Sequence, residues 1–292
     1  MALCTCSLHT HASVARRIDP TQTITLRKRY ERAIVRRFLD LRKEIGPAIS
    51  DLLGPGPIGN ARERYTFPTD IGKVPAFRRW LDRKADQGIL EVVSREGATI
   101  TGRRNWQDVF VRSAYQKGLS DAYSRLAETG YVNPLEISGR FMAPSASMFN
   151  VPIHAKTLES LFTRNFEDLR GITDAMSSKI SRTLTQGLAE GRSPIKIASM
   201  LRKEVDGIGI RRARVLARTE IIRSHFEATL NSFQQAGVEG VNVEAEWLTA
   251  GDGRVCSRCG SLQGKVFTIE NARGMIPAHP NCRCSVIPVV KD

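Results

Sequence analysis

Residues 158–188 read LESLFTRNFEDLRGITDAMSSKISRTLTQGL, and Leu158, Phe162, Phe166, Leu169, Ile172, Met176, Ile180, Leu184 and Leu188 recur in them at steps of three or four. That period lays one apolar stripe along a helix of about thirty residues, several turns longer than the usual globular helix. Its end is well marked. Gly191 suits a C-terminal cap, and Ser193-Pro194 supplies an N-cap and a first-turn proline for the next helix. That helix is expected from Pro194 to about Val205, turning back through Gly207-Ile208-Gly209. Another long helix follows from about Arg211 to Ala236 and stops at Gly237.

Working back toward the N-terminus, residues 19–46 read as a helix capped by Asp19-Pro20 or a following threonine, with Leu26, Tyr30, Ile34, Phe38, Leu41 and Ile45 on one face. Gly46-Pro47 weakens the pattern, and the Gly/Pro-rich stretch 54–60 ends it in a loop. A short helix is expected after Pro75, carrying Phe77, Trp80 and Leu81 and closing at Gly88, and residues 89–101 suggest a small hairpin. Residues 105–129 form a further helix with Trp106, Phe110, Ala114, Gly118, Ala122 and Leu126 in a row. The small residues in the middle of that row would let another helix approach closely. From Gly130 to Pro152 the period dissolves, and a domain boundary or long arm is expected there.

Beyond Gly237 the texture changes to short alternating runs, at Val241 to Trp247, Val266 to Ile269 and Val286-Ile287, which read as a few strands around a compact site. That site is spelled Cys256-Ser257-Arg258-Cys259-Gly260, with nineteen residues between Cys259 and His279, then His279-Pro280-Asn281-Cys282-Arg283-Cys284. Two donor pairs, each separated by two residues and joined by about 15–20 more, have the spacing that closes a tetrahedron around Zn²⁺. Five residues compete for four positions; Cys256, Cys259, His279 and Cys282 are favoured, with Cys284 as the substitute or a neighbouring thiol. Four protein donors leave no open position, so the zinc is expected to be structural, and a chelator is expected to unfold residues 245–292. The alternatives are buried free thiols or a redox pair at Cys256 and Cys259, though a redox pair opens a thioredoxin-like helix and needs no His-x2-Cys partner. The glutamate that deaminases place beside their zinc histidine is missing here. Cys4, Cys6, His9 and His11 also sum to four donors, but they are cramped, terminal and more consistent with a tail.

The whole chain has 292 residues, with 41% hydrophobic and 25% charged, the mixture of a globular protein and not of a disordered or collagen-like one. Six cysteines in two tight groups argue against a secreted disulfide scaffold and for a reducing cytosol. No run approaches the ~18 apolar residues of a membrane span, and Met1 to His11 lacks the basic start and apolar core of a secretory signal. Lys and Arg number 44 against 30 Asp and Glu, a net charge of +14. The excess gathers in two helical runs, 27–43 and 202–218. Arg27, Lys28, Arg32, Arg36, Arg211, Arg212 and Arg214 are the expected contacts to double-stranded DNA; the alternative is a solvated helix face. No aromatics interleave with these arginines, so the contact expected is to phosphate, without base reading.

Other constellations carry less. Glu244-Ala245-Glu246 resembles the Glu-x-Glu of ADP-ribosyltransferases, but the Ser-Thr-Ser strand those enzymes also use is absent. Glu220 follows Arg218-Thr219 in mid-helix and can reach Ser224, Arg223 or a neighbouring helix. His225 reads as a satisfied helix histidine. There is no Gly-x-Ser-x-Gly, P-loop or His-Glu-x-x-His.

Taken together, Leu216-Ala217-Arg218-Thr219-Glu220, the helix to Gly237, Trp247, Asp252-Gly253-Arg254-Val255-Cys256-x-x-Cys259, Leu262, Gly264 and His279-Pro280-Asn281-Cys282-Arg283-Cys284 resemble the phage Mu F-like head morphogenesis family over about residues 155–290. The resemblance implies a minor capsid protein of a tailed bacteriophage, at or near the portal vertex, meeting portal, capsid or scaffold proteins and packaged DNA. It implies the host bacterial cytoplasm during assembly and then the virion, with no membrane partner and no enzymatic activity. The rival classes are a metal-dependent or ADP-ribosyltransferase-like toxin and a zinc-ribbon DNA-binding regulator. The fold class expected is α+β and mainly α-helical, long helices being followed by a small C-terminal β-rich, zinc-knuckle-like region. The expected domains are a flexible tail at 1–18, a mostly helical module at 19–150 with the loop at 54–60, and a head-morphogenesis domain at 151–292. The last comprises helices over 155–237 and the zinc-bearing region 238–292.

Overall fold

The computed structural model describes residues 19–54, 72–91, 105–130, 136–137, 140–141, 151–238 and 241–291. The N-terminal tail with Cys4, Cys6, His9 and His11, most of the loop 54–60 and the expected boundary at residue 150 lie outside these. The chain is mainly helical, with a small three-stranded antiparallel sheet near its C-terminus. Among the described residues, no helix is long and apolar enough to cross a membrane. They pack as two compact units, the first drawn from 1–29, 108–163 and 218–292 and the second from 30–107 and 164–217.

In the second unit, helix α1 (Ile24–Leu53) buries Tyr30, Ile34, Phe38, Leu41, Ile45, Ile49 and Leu53. It does not weaken at Gly46-Pro47, as the sequence suggests, but runs through Pro47 to Leu53. Ile49 and Leu53 continue the stripe by fours, and two buried aliphatics stabilise by about 1.5–3 kcal/mol each. That offsets the roughly 3 kcal/mol a mid-helix proline costs. Helix α2 (Lys73–Ala85) buries Phe77 and Leu81 and passes into a π-helical turn, Asp86–Leu90. Ile89 and Leu90 therefore belong to a buried helical turn and not to the expected hairpin, whose remaining residues from 92 lie outside the described ones. Glu91, with φ 49°, terminates the turn, and the Trp106 indole N–H donates to the Ile89 carbonyl at 2.9 Å.

The long stripe forms helix α4 (Pro152–Ala189), with Leu169, Ile172, Met176, Ile180 and Leu184 buried in this unit. It closes as read: Gly191 has φ 62°, and Ser193 caps α5 (Pro194–Glu204) by accepting from the Lys196 N–H. The expected reversal at Gly207-Ile208-Gly209 does not occur. Val205–Ile210 is a π-helical turn that leads into α6 (Arg211–Val238), because Val205 and Ile210 stay on the buried side. The path from α5 to α6 runs antiparallel to α1. Arg42 pairs with Asp206 at 3.0 Å, Phe38 lies against Gly209, and Arg214 reaches Glu31 at 3.5 Å. The two basic runs are thus side by side, interleaved with acids.

In the first unit, α3 (Asp108–Ala127) crosses α6 at Gly118, where an added Cβ would lie 2.2 Å from the His225 carbonyl oxygen. The close approach read from Ala114, Gly118 and Ala122 is present. Strands β3 (Val243–Leu248), β4 (Val266–Phe267) and β5 (Ser285–Val290) form a sheet in the order β4-β3-β5, with Ala245 opposite both Phe267 and Pro288. Two short strands, β1 (Glu136–Ile137) and β2 (Arg140–Phe141), pair separately. One apolar core joins helices and sheet, containing Val111, Tyr115, Leu158, Phe226, Trp247 and Val286. The entry to α1 is a polar knot: Asp19 accepts from the Ile24 N–H, the Thr21 hydroxyl and the Arg27 guanidinium. Buried Arg125 donates to the carbonyls of Pro20 and Val286, tying that entry to β5.

His225 is fully buried, with Nε2 3.0 Å from Asp121 Oδ2. Burial pushes its pKa down, against the opposing pull of Asp121. A histidine lowered in the fold contributes stability that is complete above the unfolded value of about 6.5 and is lost as pH falls below it. The urea midpoint is therefore expected to drop between pH 7 and pH 5, and to drop less in His225→Gln. Parallel pH profiles for the two proteins would remove this role.

Candidate metal centre

The first donor pair stands on a knuckle. Cys256 is the N-cap of the one-turn helix α7 (Ser257–Gly260), and its Sγ accepts from the Cys259 N–H at 3.4 Å. Two residues of separation thus bring both sulfurs to one side of a tight turn. The second pair lies before β5, where Asn281 adopts φ 62° and its N–H reaches the Thr219 hydroxyl on α6 at 3.4 Å.

The fold brings all five expected donors together. Cys256, Cys259 and His279 form one set and Cys259, Cys282 and Cys284 another, the ligand atoms of each lying within 4.8 Å of one another. Cys259 is common to both. His279 Nε2 is 3.4 Å from Cys256 Sγ and 3.2 Å from Cys259 Sγ, while its Nδ1 is 2.8 Å from the Pro280 carbonyl. A carbonyl only accepts, so Nδ1 donates to it and Nε2 faces the thiols, the arrangement that orients a metal-binding imidazole.

The thiols divide in their acidity. Hydrogen bonds from the Cys259 N–H and S–H pull Cys256 down, and the Cys284 thiol, donating to it, pulls Cys282 down to about 5. Burial pushes Cys259 up to about 12, and donation to Cys282 together with burial pushes Cys284 up. Four sulfurs this close cannot all ionise unless a cation compensates them. Soft thiolates with one imidazole suit such a cation, and the cluster can hold a metal ion.

Around the donors lies a clamp that sequence reading missed. Arg283, between Cys282 and Cys284, makes a bidentate pair with Asp252, at 2.6 and 2.8 Å. Asp252 also accepts from the Arg254 backbone N–H and pairs with its guanidinium. The Arg283 guanidinium holds the Asp252 carboxyl well below the usual range. The entrance to the first donor pair is thereby bound to the exit of the second. Asp-x-Arg-x-Cys and Cys-Arg-Cys were visible as motifs, but their pairing depends on a fold that joins residues 31 apart.

The expected DNA contacts separate. Lys28, Arg32, Arg36, Arg211, Arg212 and Arg214 have exposed side chains. Arg27 does not: it is 8% exposed, held by Asp19 at 2.7 Å, and burial lowers its pKa. Its place on the apolar side of the first turn puts it in the capping knot, so it is withdrawn from the phosphate contacts. Glu220 pairs with Arg223 at 3.1 Å, whereas Ser224 donates to the Glu220 backbone carbonyl. On β3, Glu244 is held by Lys291 at 2.7 Å.

Residues 178–287 match the family described as phage Mu protein F like protein. The NAD(+)--arginine ADP-ribosyltransferase EFV of Enterococcus faecalis (strain ATCC 700802 / V583) is 26% identical over 157 residues, covering 49% of this chain. The chain spans 31% of the length of that curated relative. No solved structure matches the chain. The matched stretch contains every residue of the cysteine–histidine cluster, the Asp252–Arg283 clamp and all of α6, and over residues 178–287 the chain is similar to the phage Mu F-like family.

Proposed function

We propose that this chain is a minor head protein of a tailed bacteriophage, acting at or near the portal vertex in head assembly and in DNA packaging or delivery. The observation that carries the reading is the coincidence of the family match with the cysteine–histidine cluster and its clamp. Residues 151–292 act as the head-morphogenesis domain and 19–150 as a helical module, with 1–18 as a tail. The partners are the portal protein, capsid or scaffold proteins and double-stranded DNA. The protein works in the host cytoplasm and ends in the capsid. The test is capture of the portal protein encoded beside it, at physiological salt. Retention of portal supports the role, and no retention with either full-length partner as bait removes it.

The metal is Zn²⁺, bound for structure by four of Cys256, Cys259, His279, Cys282 and Cys284. Cys256, Cys259, His279 and Cys282 are favoured, because His279 already points at the first pair. When bound there, zinc would join the knuckle to the segment before β5, and no step of chemistry is assigned to it.

Lys28, Arg32, Arg36, Arg211, Arg212 and Arg214 contact phosphate without reading sequence. Arg214 has to share its charge with Glu31. Duplex retention is expected to fall steeply from 50 to 200 mM salt, with a log–log slope of about −0.9 per phosphate contacted. Arg32→Glu with Arg211→Glu should flatten that slope by about two contacts, equally on unrelated sequences. Arg27→Met should leave the slope unchanged while lowering stability. A slope that survives the double reversal would exclude this face.

An arginine ADP-ribosyltransferase is the rival reading, favoured by the Enterococcus relative. NAD⁺-dependent labelling of an arginine substrate by the purified chain, lost in Glu246→Ala, would select it.

A further inference from the structure

We propose that metal loading at the cysteine–histidine cluster controls the stability of the helices of the first unit, and that Arg273 is the strut that transmits it. This goes beyond a clip for the last residues, and it rests on the metal reading above.

Cys259, Cys282 and Cys284 do not form a core of their own; they belong to the same apolar cluster as Val111 and Tyr115 of α3, Leu158 of α4 and Phe226 of α6. The segment between the two donor pairs carries β4 and the one-turn helix α8 (Ile269–Ala272), and Arg273 follows directly. Closing the metal site at both ends of this segment fixes where Arg273 stands. Its Nη2 donates to Asn231 Oδ1 at 3.0 Å and to Gln234 Oε1, and its Nη1 is 3.5 Å from Glu227 Oε2. All three acceptors lie on α6.

Asn231 is the branch point. Its Nδ2 donates to the Tyr115 hydroxyl on α3 at 2.8 Å and to the Thr157 hydroxyl on α4 at 2.9 Å. Thr157 spends its own proton on the Ile153 carbonyl, at 2.7 Å, so it must accept from Asn231. Tyr115, accepting from Asn231, gives its proton to His154 Nδ1 at 2.8 Å. Every direction in this chain depends on the Asn231 amide facing one way. Arg273 sets that direction, because a guanidinium has only donors and must meet Oδ1. Once the amide turns over, oxygen faces both hydroxyls and the two bonds from Nδ2 are lost together. Arg125 also ties α3 to Val286, and Asn281 ties this region to Thr219 of α6.

The test uses the full chain and hydrogen–deuterium exchange, with cobalt as the metal probe. Wild type and Arg273→Met should each bind one cobalt with the same tetrahedral absorption bands, since Arg273 is not a donor. In wild type, chelation should speed exchange by about tenfold or more at 111–126, 154–162 and 226–236, as well as at 243–290. In Arg273→Met the response of 243–290 should remain, while that of 154–162 and 226–236 should shrink to a few-fold at most. Arg273→Lys, which keeps the charge but not the fork, should fall between them. A wild type whose helices ignore chelation overturns the proposal, and so does an Arg273→Met protein that responds as wild type does. A wild type without cobalt bands overturns the metal reading itself, and this inference with it.

Discussion

Gly118→Ala is expected to lower the stability of the protein by about 3 kcal/mol, the upper part of the range for overpacking a close contact. Gly118 lies at the crossing of α3 and α6, and a methyl group there would meet the His225 carbonyl oxygen at 2.2 Å and the Ala228 Cβ at 2.8 Å. Both obstacles are rigid: one is helix backbone, and the other is a side chain with no rotamer to change. The helices must therefore separate, which strains the His225–Asp121 contact and loosens Tyr115 and Leu119 in the core. Gly171→Ala in α4 is the matched control. It is also helical and has nothing within 4 Å of the added carbon. There the gain in helix propensity should raise stability by roughly 0.5–1 kcal/mol. Urea titration of the two variants beside wild type checks the pair. Equal effects would mean that propensity, and not the crossing, decides at Gly118.

The Gly118 contact was legible because small residues at positions four apart have one main use on a helix face, allowing a second helix near. Stripe positions were equally legible, since burial obeys a period. What stayed hidden involves partners distant in sequence. Arg27 looks like any other member of its basic run, and only the folded entry of α1 places Asp19 against it. Pro47 looks like a weak point in sequence because local rules count the lost hydrogen bond but not the tertiary burial of Ile49 and Leu53. The antiparallel lie of α1 along α5 and α6 pairs Glu31 with Arg214 and Asp206 with Arg42, so part of the charge seen in sequence is neutralised across helices. The metal donors were named from spacing alone. Their second shell was not, because Asp252 and Arg283 become partners only when the knuckle and β5 meet.

The same geometry ranks the donors, and the expected order is steep. Cys259→Ser should abolish stoichiometric metal and cause the largest loss of stability among the single donor changes. Cys259 is the one residue shared by the two donor sets, and it is buried in the core of the first unit. Serine keeps most of the volume but offers a hard, protonated oxygen where a soft thiolate is needed, and leaves a hydroxyl among apolar neighbours. Structural zinc sites bind with about 10–16 kcal/mol of apparent free energy. The part seen as stability depends on free metal, and is about 2.7 kcal/mol when metal exceeds its dissociation constant a hundredfold. Loss of the cooperative melting transition in Cys259→Ser at ordinary metal concentrations is the expected result. Cys284→Ser should behave differently. The favoured four donors remain, so one metal per chain should persist, with a smaller fall in melting temperature from the lost hydrogen bond to Cys282. His279→Ala should retain metal only while Cys284 is present, since that thiol already lies beside Cys259 and Cys282. Metal content by atomic absorption, measured with melting curves on the same samples, separates these outcomes. Full metal occupancy in Cys259→Ser would remove Cys259 from the donor set and leave the two clusters as unconnected thiols.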